Sequence, residues 1–194
     1  PRVGPSQLPE TDEDPTAVEA HRELVLSFVD KSRIIDQNFT VVVDCCNGAG
    51  STAAPEFLRA LGCHVIELHT DLSRPFPRNP EPVRANLSDL LERVAETGAD
   101  IGFALDADGD RLSIVNAEGQ PLGENCTVAL VARHVLEKKP GPVVVNLSTS
   151  RMAEAVASEF DQPIFRTKVG EINVVEEMLS RDARVGGEGN GGVI

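Results

Sequence analysis

Tryptophan and tyrosine are absent from these 194 residues, and only seven phenylalanines are present. The interior must therefore be built from aliphatic side chains, and few aromatic faces are on offer for stacking a base. Positive charge is also scarce: 18 lysines and arginines stand against 31 aspartates and glutamates, for a formal net charge of −13. Such a surface repels a phosphate backbone, so nucleic acid is a poor partner, and any bound anion must be met by a few local cations. No apolar run approaches the length of a membrane span, and the opening "PRVGPSQLPETDEDPT" lacks a signal peptide's hydrophobic stretch. The four cysteines, Cys45, Cys46, Cys63 and Cys126, form no C-x-x-C pair and no metal-ligand spacing. Each lies in or beside an apolar segment, where a reduced cysteine packs as a small hydrophobe. The expectation is a cytoplasmic protein with neither a membrane nor a nucleic acid as partner.

What the chain does have is alternation. Residues 1–15 are rich in proline and acid and read as a leader or linker. "TAVEAHRELVLSFVD" reads as an amphipathic helix, "FTVVVD" as a buried strand, "STAAPEFLRALG" as a helix ended by Gly62, and "CHVIEL" as a second strand. "NLSDLLERVAETG" sets Leu87, Leu90, Leu91, Val94 and Ala95 on one helical face, with Gly98 at the C-terminal cap. "ADIGFAL" and "RLSIVN" flank an acidic loop. After the joint "NAEGQPLGEN" the alternation begins again, with helices through "TVALVARHVLEKK", "MAEAVASEF" and "INVVEEML" and strands at "PVVVNLS" and "PIFRT". Two consecutive α/β/α units with mixed, mostly parallel sheets are predicted, over 16–120 and 121–194. The second stops on a strand and a glycine-rich loop, "GGEGNGGVI", so it is expected to be truncated and the chain to be a piece of a longer protein.

Two loops carry chemistry. In "NGAGSTA", Gly48, Gly50 and Ala53 satisfy G-x-G-x-x-A, and Glu67 lies about twenty residues on, as in a dinucleotide-binding turn. Four residues, Asp44 to Asn47, separate the apolar run from Gly48, however, whereas that fingerprint follows its strand directly. A nucleotide- or dinucleotide-binding module is the alternative this match leaves open. The second loop, in "ALDADGDRLSIV", crowds Asp106, Asp108 and Asp110 into five positions, with Arg111 next. Carboxylates this close repel unless a cation offsets them. An EF-hand needs glycine at loop position six and glutamate at twelve, and counting from Asp106 those places hold Arg111 and Ala117. A smaller hard cation, Mg²⁺, suits three short carboxylates better, and Arg111 suits a phosphate held in a planar, bidentate manner. An acidic turn with no ligand at all is the other reading.

"ALDADGDRLSIVNAEGQPL" resembles the metal-binding loop of the α-D-phosphohexomutases, the family of phosphoglucomutases, phosphomannomutases and phosphoglucosamine mutases. The resemblance extends over "FPRNPEPVRANLSDLLERVAETGADIGFALDADGDR", "VVVDCCNGAGS", "RTKVGEINV" and "GGEGNGG", so that it covers roughly residues 15–194 as the second and part of the third domain. It implies that Asp106, Asp108 and Asp110 ligate Mg²⁺, that Arg111 is the active-site arginine beside them, and that Glu188 and Asn190 contact hydroxyls of a hexose phosphate. It also implies a phosphoryl transfer between O1 and O6 through a phosphoserine and a bisphosphate. The serine, in a T-A-S-H-N-P-like loop, belongs to the family's first domain and a phosphate-binding loop to its fourth. Neither motif occurs here, so those domains are the expected partners and the 194 residues alone are expected to be inactive. Asn190 stands where many members have serine. Two positions where many have histidine hold Glu171 and Gly192, so the family's acid/base roles do not transfer. The "GGEGNGG" variant points to phosphoglucosamine or phosphomannose as substrate.

Overall fold

The computed structural model describes Asp14 and residues 16–194; the expected leader lies, apart from Asp14, outside the described residues. Two short helices, α1 (Ala17–Leu26) and α2 (Lys31–Ile35), lead into β1 (Thr40–Asp44). Then come α3 (Gly50–Ala60), β2 (His64–Leu68), α4 (Ser88–Thr97), β3 (Ile101–Leu105) and β4 (Leu112–Asn116). Strand order in this first sheet is β2-β1-β3-β4. The first three strands run parallel, because helical crossovers join them, and β4 runs antiparallel to β3. Only residues 106–111 separate β3 from β4, too few for a crossover and enough for a hairpin.

The second sheet takes its strands from β5 (Val143–Asn146), β6 (Ile164–Thr167) and β7 (Val185–Gly187), in order β6-β5-β7 and wholly parallel. Helices α5 (Asn125–Lys138), α6 (Met152–Glu159) and α7 (Glu171–Arg181) connect and cover it. Strands β1 and β5 are aliphatic runs closed by one polar residue, VVVD in β1 and VVVN in β5, as a strand covered on both faces requires. Val42, Leu87, Leu90, Val94, Ala99, Ala104 and Val115 form the core beneath α4. Val128, Ala132, Leu136, Val143, Val145, Ala153, Ala157 and Val185 form the core beneath α5 and α6. The helix predicted after the leader is present as α1, but none of its residues is buried, and Leu24 stays 58% exposed. Gly98 caps α4 at φ +64°, as expected, while Leu87 sits just ahead of that helix and Ala95 is exposed. Among the described residues no helix is long and apolar enough to cross a membrane.

All four cysteines are free, and Cys45 and Cys46, at the end of β1, are buried. Burial, helped by the charges of Asp44 and Glu67, pushes the Cys45 thiol up to about 12 from an ordinary value of 9.0. Cys45 is therefore expected to resist Ellman's reagent at pH 8 until the chain unfolds. Below pH 9.0 both states hold the proton and stability is indifferent to it. Between there and about 12 only the unfolded chain releases it, so stability falls as pH rises. Denaturant melts across that interval are expected to show a smaller loss in Cys45→Ala than in the parent.

Candidate functional site

The acidic loop caps the β3–β4 hairpin, just beyond the pair Leu105↔Leu112. Asp106 is buried, and its Oδ1 accepts hydrogen bonds from the backbone N–H groups of Gly109 and Arg111, both at 3.1 Å. Gly109 makes this turn at φ +82°, a conformation that side-chain-bearing residues rarely adopt. One carboxylate thus shapes the loop that carries the other two. One carboxylate oxygen from each of Asp106, Asp108 and Asp110 lies within 4.8 Å of the others. Three hard oxygen donors this close together, one from a buried residue, fit a small divalent cation such as Mg²⁺. Arg111 Nε lies 3.7 Å from both Asp106 Oδ2 and Asp110 Oδ1, and its Nη1 lies 4.0 Å from Glu81 Oε1, so the guanidinium partly offsets the cluster.

The loop is seated on the turn between β1 and α3, the segment that resembles a dinucleotide fingerprint. Ala49 N–H donates to Ala107 O at 2.9 Å. A Cβ on Gly48 would fall 2.4 Å from that same oxygen, and one on Gly50 would fall 2.6 Å from Leu105 Cδ1. The two glycines are thus spent on letting the acidic loop approach. Glu67, the acid that would bind a ribose, is instead paired with Arg59 and accepts from Thr70 Oγ1 at 2.9 Å. The dinucleotide alternative has no geometric support here.

In the second unit Glu188 follows β7 and is held from three directions. Its Oε1 accepts from Asn146 Nδ2 at 2.6 Å and from Gly170 N–H at 2.8 Å, and its Oε2 from Asn190 Nδ2 at 3.3 Å. Asn146, buried at the end of β5, also accepts from Ser148 and Thr149 through its Oδ1. The turn closes as a hairpin, Ile194 N–H donating to Gly186 O at 2.9 Å and Gly186 N–H returning the bond at the same length.

These two loops, eighty residues apart in sequence, meet. Leu112 N–H donates to Gly191 O at 3.1 Å, Arg111 bridges Gly192, and Thr127 Oγ1 donates to Leu112 O at 2.6 Å. Between them lies a cleft of about 260 Å³ lined by Asp110, Arg111, Glu171, Glu188, Asn190 and Gly192. Arg111, Asp110, Glu188 and Asn190 are therefore brought together, and Glu171 and Gly192 line the same space.

Sequence patterns gave no notice of the support behind the acidic loop. Asp44, with a side chain only 1% exposed, is paired with Arg78, whose Nε donates to its Oδ2 at 2.8 Å. Asp44 Oδ1 accepts from Cys46 N–H at 2.8 Å and lies 3.2 Å from His69 Nδ1, and His69 Nε2 lies 3.4 Å from Asp89 Oδ2. The one signal available was a lone aspartate closing a run of valines, a carboxylate that needs a partner if it is buried.

Comparison with known proteins agrees with this architecture in both units. The family described as phosphoglucomutase/phosphomannomutase, alpha/beta/alpha domain II, matches residues 19–119, and its domain III matches residues 123–194. The chain belongs to the phosphoglucomutase/phosphomannomutase family. A protein of Methanopyrus kandleri named "Probable phosphoglucosamine mutase" is 39% identical over 181 residues, covering 92% of this chain and 39% of that protein. A solved phosphoglucomutase/phosphomannomutase family protein of Burkholderia thailandensis superposes with a TM-score of 0.74 at 27% identity, over 91% of this chain and 38% of its own. The N-acetylphosphoglucosamine mutase of Aspergillus fumigatus, solved with GlcNAc-6P and magnesium, shares the fold at a TM-score of 0.64 and 16% identity, over 92% of this chain and 38% of its own. The chain thus spans about two fifths of the length of these mutases.

Proposed function

We propose that these residues form the cation-binding and sugar-binding half of a phosphohexomutase that interconverts hexose 1-phosphate and hexose 6-phosphate. The observation that carries the reading is the single cleft that joins the arginine of the acidic loop to the carboxylate and amide of the glycine-rich loop. In this reading Asp106, Asp108 and Asp110 hold Mg²⁺, which when bound offsets negative charge as a phosphoryl group is transferred. Arg111 presents its planar fork to phosphate oxygens at the edge of that charge. Glu188 has three of its roughly four acceptor sites filled by N–H donors, and the one left on Oε2 accepts from a sugar hydroxyl, while Asn190 completes the contact. The reaction runs through a phosphoserine and a bisphosphorylated sugar, with the serine supplied by a part of the mutase outside these 194 residues. The chain alone is accordingly expected to turn nothing over, and the setting is the cytoplasm. Glucosamine and mannose phosphates are the favoured substrates, because the glycine-rich loop has the "GGEGNGG" form.

The test is a coupled assay of the whole mutase with the 1-phosphates of glucosamine, mannose and glucose, a bisphosphate activator and Mg²⁺. Turnover of one or more of them supports the reading, and preference for a pentose phosphate or a non-sugar substrate overturns it. In the same assay Glu188→Gln is expected to raise KM about tenfold or more and to lower the melting temperature by a few degrees. A glutamine must turn an NH₂ group toward donors that are already pointing at it, which leaves a sugar hydroxyl with a poorer acceptor. An unchanged KM would remove Glu188 from the sugar site.

A further inference from the structure

The acidic loop has to begin at a fixed point if three carboxylates are to meet, and the β-ladder does not supply that point. Pairing of β1 with β3 ends at Asp44↔Ala104, one residue short of Leu105, so the carbonyl that launches Asp106 has no strand partner on that side. Arg78 supplies it. Its Nη2 donates to Leu105 O at 2.8 Å, its Nη1 to Pro80 O at 2.9 Å and Asn79 O at 3.1 Å, and its Nε to Asp44 Oδ2 at 2.8 Å. The side chain is 9% exposed. Every nitrogen of the guanidinium is therefore engaged, on three separate pieces of chain: the end of β1, the end of β3 and the loop before α4.

From this geometry we infer that Arg78 is the positioning residue of the cation site, tying the peptide ahead of Asp106 to the end of β1 so that the three carboxylates converge. The inference rests on the reading of the acidic loop as a cation site. It goes beyond neutralising Asp44, a task any buried cation could perform. Only a planar fork with donors on three nitrogens spans a carboxylate on one strand and a carbonyl on the next, and a lysine ammonium cannot hold both in that geometry. Arg78→Lys therefore separates the two roles: the charge opposite Asp44 stays, and the tie to Leu105 goes.

The experiment measures Mn²⁺ binding to the 194-residue chain, by the loss of the free-ion electron paramagnetic resonance signal, in the parent, Arg78→Lys and Asp108→Asn. Arg78→Lys is expected to bind Mn²⁺ 10- to 100-fold more weakly, the range found when groups that orient metal ligands are removed. Its melting should remain cooperative, and exchange of the Gly109 and Arg111 amide protons should speed up, since both are bonded to Asp106. Parent-like affinity in Arg78→Lys, with binding lost in Asp108→Asn, overturns the role given to Arg78 and leaves the cation site standing. No Mn²⁺ binding by the parent, or parent-like binding in Asp108→Asn, overturns the cation reading and this inference with it. If Arg78→Lys does not fold, Asp44→Asn carries the test, because it weakens the same brace from the carboxylate side. Several-fold weaker Mn²⁺ binding there supports the inference, and an unaltered Kd overturns it.

Discussion

Asp108→Asn is expected to abolish Mg²⁺-dependent turnover in the whole mutase, by at least about 100-fold, while leaving the fold intact. The side chain is exposed and takes no part in the core, so nothing in the packing depends on it. Its value lies in its charge, one of three within 4.8 Å. Without a divalent cation these charges repel, so the variant's melting temperature is expected to match or exceed the parent's. With the cation the sign reverses. At a hundred times its Kd a ligand stabilises the native state by about 2.7 kcal/mol. For a chain of this size that is a rise of roughly 5–11 °C, at about 2–4 °C per kcal/mol. The parent should show that rise with Mg²⁺ and the variant should not. Thermal melts with and without Mg²⁺, beside the coupled assay, check both signs, and near-normal Mg²⁺-dependent activity in the variant would refute the cation site.

Gly48→Ala is the second substitution expected to act strongly, through a different mechanism. Its new Cβ would lie 2.4 Å from Ala107 O and 3.0 Å from Ala107 C and Cα. These are backbone atoms, so no rotamer change relieves the clash, and either the β1–α3 turn or the acidic loop must move. Overpacking of this kind costs about 1–3 kcal/mol, occasionally more. The loss should reach the upper end here, because the hydrogen bond from Ala49 N–H to Ala107 O is displaced as well. Mn²⁺ affinity should fall together with stability. Gly98→Ala is the matched control: φ is +64°, but no heavy atom lies within 4 Å of its Cβ. It should cost about 1 kcal/mol of backbone strain and leave Mn²⁺ affinity alone. Urea midpoints and Mn²⁺ titrations of the two variants test the contrast, and equal effects on affinity would show that Gly48 does not seat the loop.

The alternating fold and the acidic loop were legible in the sequence because both are local. An aliphatic run closed by Asp44, a helical face of Leu87, Leu90 and Val94, and three aspartates in five positions each show within a dozen residues. The sequence pattern led only to a mixed, mostly parallel sheet, and β4 supplies its antiparallel member. What stayed hidden is long-range. Arg78 and Asp44 are 34 positions apart, and Asn146 and Glu188 are 42 apart. No periodicity links such pairs; strand order decides them. The dinucleotide look-alike misleads for a related reason. Glycines record only that something comes close, and at Gly48 the neighbour is the protein's own acidic loop. The exposed face of α1 was equally invisible, since apolar spacing predicts a helix and not what covers it.

Leu112 closes the β3–β4 ladder, donates to Gly191, accepts from Thr127 and is the neighbour of Arg111. It therefore serves as a common datum for both loops, in the surveyor's sense. The gap between the acidic loop and Glu188 is referred to one residue by a few short bonds, and does not accumulate through the four strands and three helices that separate them along the chain. Small offsets elsewhere, such as a tilt of α6 or a repacked Leu136, enter that measurement only weakly. Sequence drift in the cores can thus proceed without detuning the cleft, whereas a slip of β4 by one residue along β3 would misplace both of its walls at once.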